Sequence, residues 1–126
     1  MNPMRAMRQY QSVNAQAQTS EATPHRLVQM LMQGGLDRIA QAKGALERDD
    51  VATKGLCLGK AVAIIGGLRE GLNPDELPTK LADLDGLYDY MMRRLTEANI
   101  KNDPKILDEV SGLLGNVKEG WDAIAA

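Results

Sequence analysis

The chain has no phenylalanine, one tryptophan, three tyrosines, one cysteine and one histidine among 126 residues. With aromatics at 3%, any core must be built from Leu, Ile, Val, Ala and Met, which favours helices over sheets. The lone Cys57 excludes an internal disulfide framework and suits a reducing compartment. With one His and one Cys the chain lacks the ligands for a zinc site built from those residues, and no other metal or cofactor signal stands out. No run of 18 apolar residues exists, so no membrane span is expected. Arg5 and Arg8 are not followed by an apolar stretch, so no secretory signal is visible. Lys and Arg number 15 against 17 Asp and Glu, for a net charge of −2 without a basic run. That argues against nucleic-acid binding, which rests on phosphate neutralisation.

What is there is helical periodicity. The apolar positions Leu77, Leu81, Leu84, Tyr88, Met91, Leu95 and Ala98 follow a heptad, and such a stripe has to be buried against other helices. Three further segments carry stripes of the same kind. Thr23-Pro24 opens one, with Val28, Leu31, Gly35, Ile39, Ala42 and Leu46 on its inner face and an end near Arg48. Asp49-Asp50 caps the next, about Val51 to Leu72, with Leu58, Ala61, Ile65, Leu68 and Leu72; Asn73-Pro74 stops it. The heptad helix runs from about Pro78 to Asn99, with Asp75 and Glu76 near its positive end. Asp103-Pro104 opens the last, with Leu107, Val110, Leu114, Val117, Trp121 and Ile124. Strand alternation is absent. The expectation is an all-α protein, an antiparallel four-helix bundle over residues 23–126, with Leu31, Ile65, Leu84, Tyr88, Leu95 and Trp121 in the core. Residues 1–22 are polar, with Met4, Met7, Tyr10 and Val13 at spacing three, and read as a mobile arm able to form a short helix on an apolar surface.

One helix departs from the pattern. Gly55 to Leu68 carries a single charge, Lys60. On a helical wheel Leu58, Ala61, Ile65 and Leu68 share one sector, and Leu56, Ala63 and Gly67 fall opposite, near Lys60, where an isolated bundle should be polar. Gly55, Gly59, Gly66, Gly67 and Gly71 each weaken the helix by about 1 kcal/mol unless they permit a close approach. Two coverings compete for this face: a neighbouring helix of the same bundle, or another chain seated in a shallow groove at Leu56, Gly59, Ala63, Gly66 and Gly67. Chemistry of other kinds has no foothold. His25 reads as a solvated first-turn residue, Cys57 as a small core filler, and Asp83, Asp85 and Asp89 as a solvated acidic face without the spacing of a calcium loop. The expectation is that the protein is not an enzyme.

The order of motifs resembles the flagellin-specific export chaperone family FliS. Thr23-Pro24, Leu27-Val28 and Met30-Leu31 ahead of Gly34 are similar to its Ser/Thr-Pro, Leu-Val and Met-Leu-Tyr-Asp-Gly pattern, with Met32 and Gln33 in place of the aromatic and the acid. Ala61 to Leu68 resembles its Ala-x-x-Ile-Ile-x-x-Leu. Leu87-Tyr88-Asp89-Tyr90, Arg94-Leu95 and Ala98-Asn99 resemble its Leu-Tyr-x-Tyr, Arg-Leu and Ala-Asn signature, and Trp121 stands near the end as in the family. The resemblance implies a cytoplasmic helical bundle that binds the disordered C-terminal segment of flagellin, prevents premature polymerisation and passes the subunit to the flagellar export apparatus. It adds Leu87 and Tyr90 to the candidate contact residues. It also implies that the arm, through Met4, Met7 and Tyr10, covers the groove when flagellin is absent. The competing expectation is a structural bundle that pairs with a second copy through the 51–72 helix; the chaperone reading expects a monomer or weak dimer.

Overall fold

The structure, a computed structural model, describes residues 23–72 and 83–124. They form four α-helices and no strand: α1 Pro24–Glu47, α2 Val51–Glu70, α3 Leu84–Lys101 and α4 Pro104–Asp122. Three of the helix starts are closed by the side chains that the capping rules select. Thr23 Oγ1 accepts from the Arg26 amide at 3.1 Å, Asp50 Oδ1 from Thr53 at 3.1 Å, and Asp103 Oδ1 from Lys105 at 2.9 Å. Asp49 and Asn102 adopt positive φ, at 56° and 52°, and turn the chain between α1 and α2 and between α3 and α4. Asp and Asn are the non-glycine residues that accept this region most readily.

The helices pack in cyclic order: α1 against α2 and α4, and α3 against α2 and α4. Cross-helix contacts show that every neighbouring pair is antiparallel. Gly35 faces Ile64 while Gln41 meets Cys57; His25 stacks on Trp121 while Lys43 meets Asp108. Gly66 faces Met92 while Lys54 reaches Asn99, and Tyr90 and Arg94 meet Glu109 across a two-residue turn. The all-α bundle expected from the periodicity is the fold.

The core between them holds Leu31, Ile39, Leu58, Ile65, Leu84, Tyr88, Met91, Leu95, Leu107, Val110 and Leu114, with Met32 completing α1's contribution. Burial pushes the Tyr88 hydroxyl well above its usual range, so it stays protonated. Trp121, expected in the core, is only half-buried. It packs at the end of the bundle, donates from Nε1 to the His25 carbonyl at 3.0 Å and stacks on the His25 ring at 5.0 Å between centroids. His25 is therefore a packing partner rather than a solvated first-turn side chain. An indole carries a polar N–H that needs a partner, and the open first turn of α1 supplies a carbonyl.

Element ends differ slightly from expectation. α2 stops at Glu70, two residues before Leu72, where the Gly71 amide bonds back to Gly67. α3 continues past Asn99 to Lys101, because the chain reverses only where Asn102 takes the left-handed conformation. Leu77, Leu81, the Pro74–Pro78 connection with Asp75 and Glu76, and the arm with Met4, Met7 and Tyr10 lie outside the described residues.

By length and composition α2 is apolar enough to cross a membrane, although the uncharged stretch within it is short. Lys54, Cys57, Leu58, Ala61, Ile65, Gly67 and Leu68 of this helix are buried against its neighbours, so one face of α2 belongs to the bundle core. Lys54 is 4% exposed. Its ammonium donates to the Asn99 carbonyl at 3.0 Å and to Asn102 Oδ1. A cation is favoured at that position, the carbonyl-rich end of α3.

Candidate partner-binding groove

α2 sits between α1 and α3, and its remaining surface faces outward. Where that surface meets α3 lies a groove of about 480 Å³, lined by Val62, Ala63, Gly66 and Met92 and closed at one end by Arg69, Glu70 and Asp85. Gly66 sets its depth. A Cβ built there would stand 3.4 Å from Met92 Cε, so the methionine methyl group rests against bare backbone. Met is suited to such a floor, being unbranched and adaptable.

The charged end is paired across the two helices. Arg69 Nε meets Asp85 Oδ1 at 2.8 Å, Nη2 donates to Asp85 Oδ2 at 3.3 Å, and Nη1 reaches Asp89 Oδ1 at 3.1 Å. Arg93 adds a contact to Asp89 Oδ2 at 3.1 Å. The Arg69 guanidinium holds the Asp85 carboxyl below the usual carboxylate range, and the hydrogen bond to Asp85 raises the already high Arg69. The acidic residues expected as a solvated face thus divide: Asp85 and Asp89 staple α3 to α2, while Asp83 is exposed at the start of α3.

The candidate residues scatter over this surface. Ala63 and Gly66 line the groove. Leu56, 60% exposed, and exposed Gly59 lie farther along α2, and a Cβ on Gly59 would meet nothing within 4 Å. Gly67 is buried instead of facing outward. Its azimuth is nearly that of Leu56, but it lies three turns farther on, and a wheel removes position along the axis. Leu87 is half-buried against the core. Tyr90 points away from the groove toward α4: its hydroxyl donates to Glu109 Oε2 at 3.0 Å and Arg93 lies 5.9 Å over its ring. There Arg94 joins Glu109 at 2.7 Å to Glu97 at 2.6 Å, and hydrogen bonding from Arg94 lowers the Glu109 carboxyl.

Val62, Met92, Arg69 and Asp85 escaped the sequence reading. Gly66 lies about 100° round from Ile65, so the groove is on the flank of α2 and not opposite its core face. The signal for Val62 was its place beside Gly66 on the wheel. Met92 adjoins the heptad residue Met91 and needs the position of α2 to be read as a surface residue. Among the described residues no group of three or more His, Cys, Asp or Glu side chains is placed to hold a metal. Cys57 is buried, with Sγ 3.7 Å from Gln41 Oε1.

A four-helix bundle whose second helix carries an exposed leucine and a shallow groove is the class of protein that the described residues define. Comparison with known proteins gives its family. A family model described as "Flagellar protein FliS" matches residues 6–126. The flagellar secretion chaperone FliSB of Pseudomonas aeruginosa is 56% identical over 125 residues, 99% of each chain. The flagellar secretion chaperone FliS of Vibrio cholerae is 40% identical over 94% of this chain and 88% of its own. That of Salmonella typhimurium is 40% identical over 92% of this chain and 87% of its own. The chain belongs to the flagellar protein FliS family.

Proposed function

We propose that this protein is a cytoplasmic export chaperone that binds the disordered C-terminal segment of flagellin, keeps it from polymerising prematurely and delivers it to the flagellar export apparatus. Relatives of this chain are named flagellar secretion chaperones. The observation that carries the reading is the outer surface of α2, where exposed Leu56 and the Val62–Ala63–Gly66–Met92 groove offer apolar area that an isolated bundle has no use for. An amphipathic client segment laid along α2 covers that area with its own apolar side chains, the mode by which grooves take helical or extended partners. Residues 1–22 act as the arm and 23–126 as the bundle. Met4, Met7 and Tyr10 cover the same surface before the client arrives and yield to it.

The test is titration calorimetry of the full chain with a flagellin C-terminal peptide, beside thermal melts of the same variants. Ala63→Glu places an unpaired charge against the client's apolar side chains, so affinity falls at least about tenfold, or about 1.4 kcal/mol. The melting temperature hardly moves, because Glu is a good helix former and Ala63 lies at the groove surface. Unchanged affinity with lost stability overturns the assignment of this face. Light scattering that finds a tight dimer in the absence of client points to the pairing of two copies through α2.

A further inference from the structure

We propose that Met92 is an oxidation site, and that its conversion to the sulfoxide turns the groove polar and weakens its hold on an apolar segment; this rests on the docking role given to the groove above. Among the described residues there are four methionines. Met30, Met32 and Met91 are 4%, 1% and 0% exposed. Met92 alone is partly open to solvent, and it lines the groove. The one thiol is buried at Cys57 against Gln41. Whenever the arm leaves the groove, a dissolved oxidant therefore meets the Met92 sulfur before any other sulfur among the described residues.

The chemistry is a two-electron oxygen transfer from a peroxide. A lone pair of the Met92 thioether attacks one peroxide oxygen, the S–O bond forms and the O–O bond breaks. Sulfur is oxidised by two electrons, and the other oxygen leaves as water after taking up a proton. The product is a polar, chiral side chain that sulfoxide reductases return to methionine.

The position makes the change consequential. The Met92 methyl group rests 3.4 Å from the Cβ position of Gly66, so it has bare backbone beneath it and client above. Gly66 provides no side chain that an added oxygen could use as a partner. Seating an apolar client on the sulfoxide requires stripping water from that oxygen without replacing its hydrogen bonds, which lowers affinity about tenfold. Leu at this position keeps apolar volume with no oxidisable sulfur, and Gln approximates the polarity of the sulfoxide.

The experiment treats the full chain with hydrogen peroxide, maps the added oxygen by peptide mass spectrometry, and titrates a flagellin C-terminal peptide into the reduced, oxidised and reductase-repaired protein. Circular dichroism confirms that each form is folded. Met4→Leu and Met7→Leu are present throughout, and oxygen on Met1 is scored separately in the peptide map, so that oxidation of the arm is accounted for. The expected result is oxygen on Met92 ahead of Met30, Met32 and Met91, a roughly tenfold loss of affinity, and recovery after repair. M92L gives the same affinity before and after peroxide treatment, whatever that affinity is, and M92Q binds weakly without it. Oxidation of a buried methionine first, or an oxidised Met92 with full affinity, overturns the proposal and leaves the chaperone reading standing. A reduced protein that does not bind the peptide overturns both.

Discussion

Gly35 and Gly59 stand in opposite surroundings, and the same substitution should act on them in opposite directions. At Gly59 an added Cβ meets nothing within 4 Å. Gly59→Ala should therefore gain most of the helix-propensity difference, about 0.5–1 kcal/mol, and raise the melting temperature. At Gly35 the new methyl stands 3.0 Å from Leu114 Cδ2, and Leu114 is fully buried. Gly35→Ala should lower the melting temperature despite its better propensity, through overpacking that costs about 1–3 kcal/mol. A rise at both positions would show that the α1–α4 contact is looser than described. Lys54 offers a second residue-scale check. Lys54→Met keeps the buried stem but removes the ammonium that serves the Asn99 carbonyl and Asn102 Oδ1. The acceptors left behind make the change cost about 1–3 kcal/mol by denaturant titration.

At the scale of elements, α2 and α3 are joined by apolar packing within and by ion pairs at the rim. The inner seam decides stability. Leu84 and Leu95 of α3 are fully buried, and truncating either to Ala should cost about 2–5 kcal/mol. The rim is exposed and adds pH sensitivity instead. Because Arg69 lowers the folded-state carboxyl of Asp85, this pair contributes at pH above the unfolded carboxylate value, about 3.9. The contribution is lost as pH falls through the lower folded value. Acid below about pH 4 should thus loosen the Arg69–Asp85 staple, while neutral and alkaline pH leave it intact. A carbon-detected NMR titration should place Asp85 below the ordinary carboxylate range in the native chain and return it upward in Arg69→Met. An Asp85 that titrates identically in both chains would rule out the staple as the cause.

For the whole molecule, exposed Leu56 and the groove leave apolar area on the outer surface of α2 among the described residues. In the proposed account residues 1–22 cover it reversibly. Deleting residues 1–17 should leave helicity and cooperative melting nearly intact, since α1 starts at Pro24 on its own Thr23 cap. Binding of an apolar dye should rise in the deleted chain. Dye binding that stays level would reduce the arm to a plain tail, and a collapse of the melt would make it part of the core.

The one-dimensional pattern determined a large part of this protein. A Leu, Ile, Val, Ala and Met core with period near 3.6 admits helices, and the cap-plus-Pro pairs Thr23-Pro24 and Asp103-Pro104 placed two helix starts at the residue. Four stripes with two short connections left an antiparallel bundle as the way to bury them. Motif order pointed to the family. Local rules suffice there because capping and periodicity act within a turn or two of the chain. The groove was only half legible. The single charge between Gly55 and Leu68 marked α2 as unusual, but which of its flanks stays open depends on where α1 and α3 pack, and a helical wheel holds no neighbours. Tertiary structure therefore took Gly67 into the interior and turned Tyr90 toward Glu109. It also drew Met92, Arg69 and Asp85, from two helices, to one site. Those placements follow from contacts between residues far apart in sequence, set by the azimuth and axial offset of whole helices, which no single segment encodes.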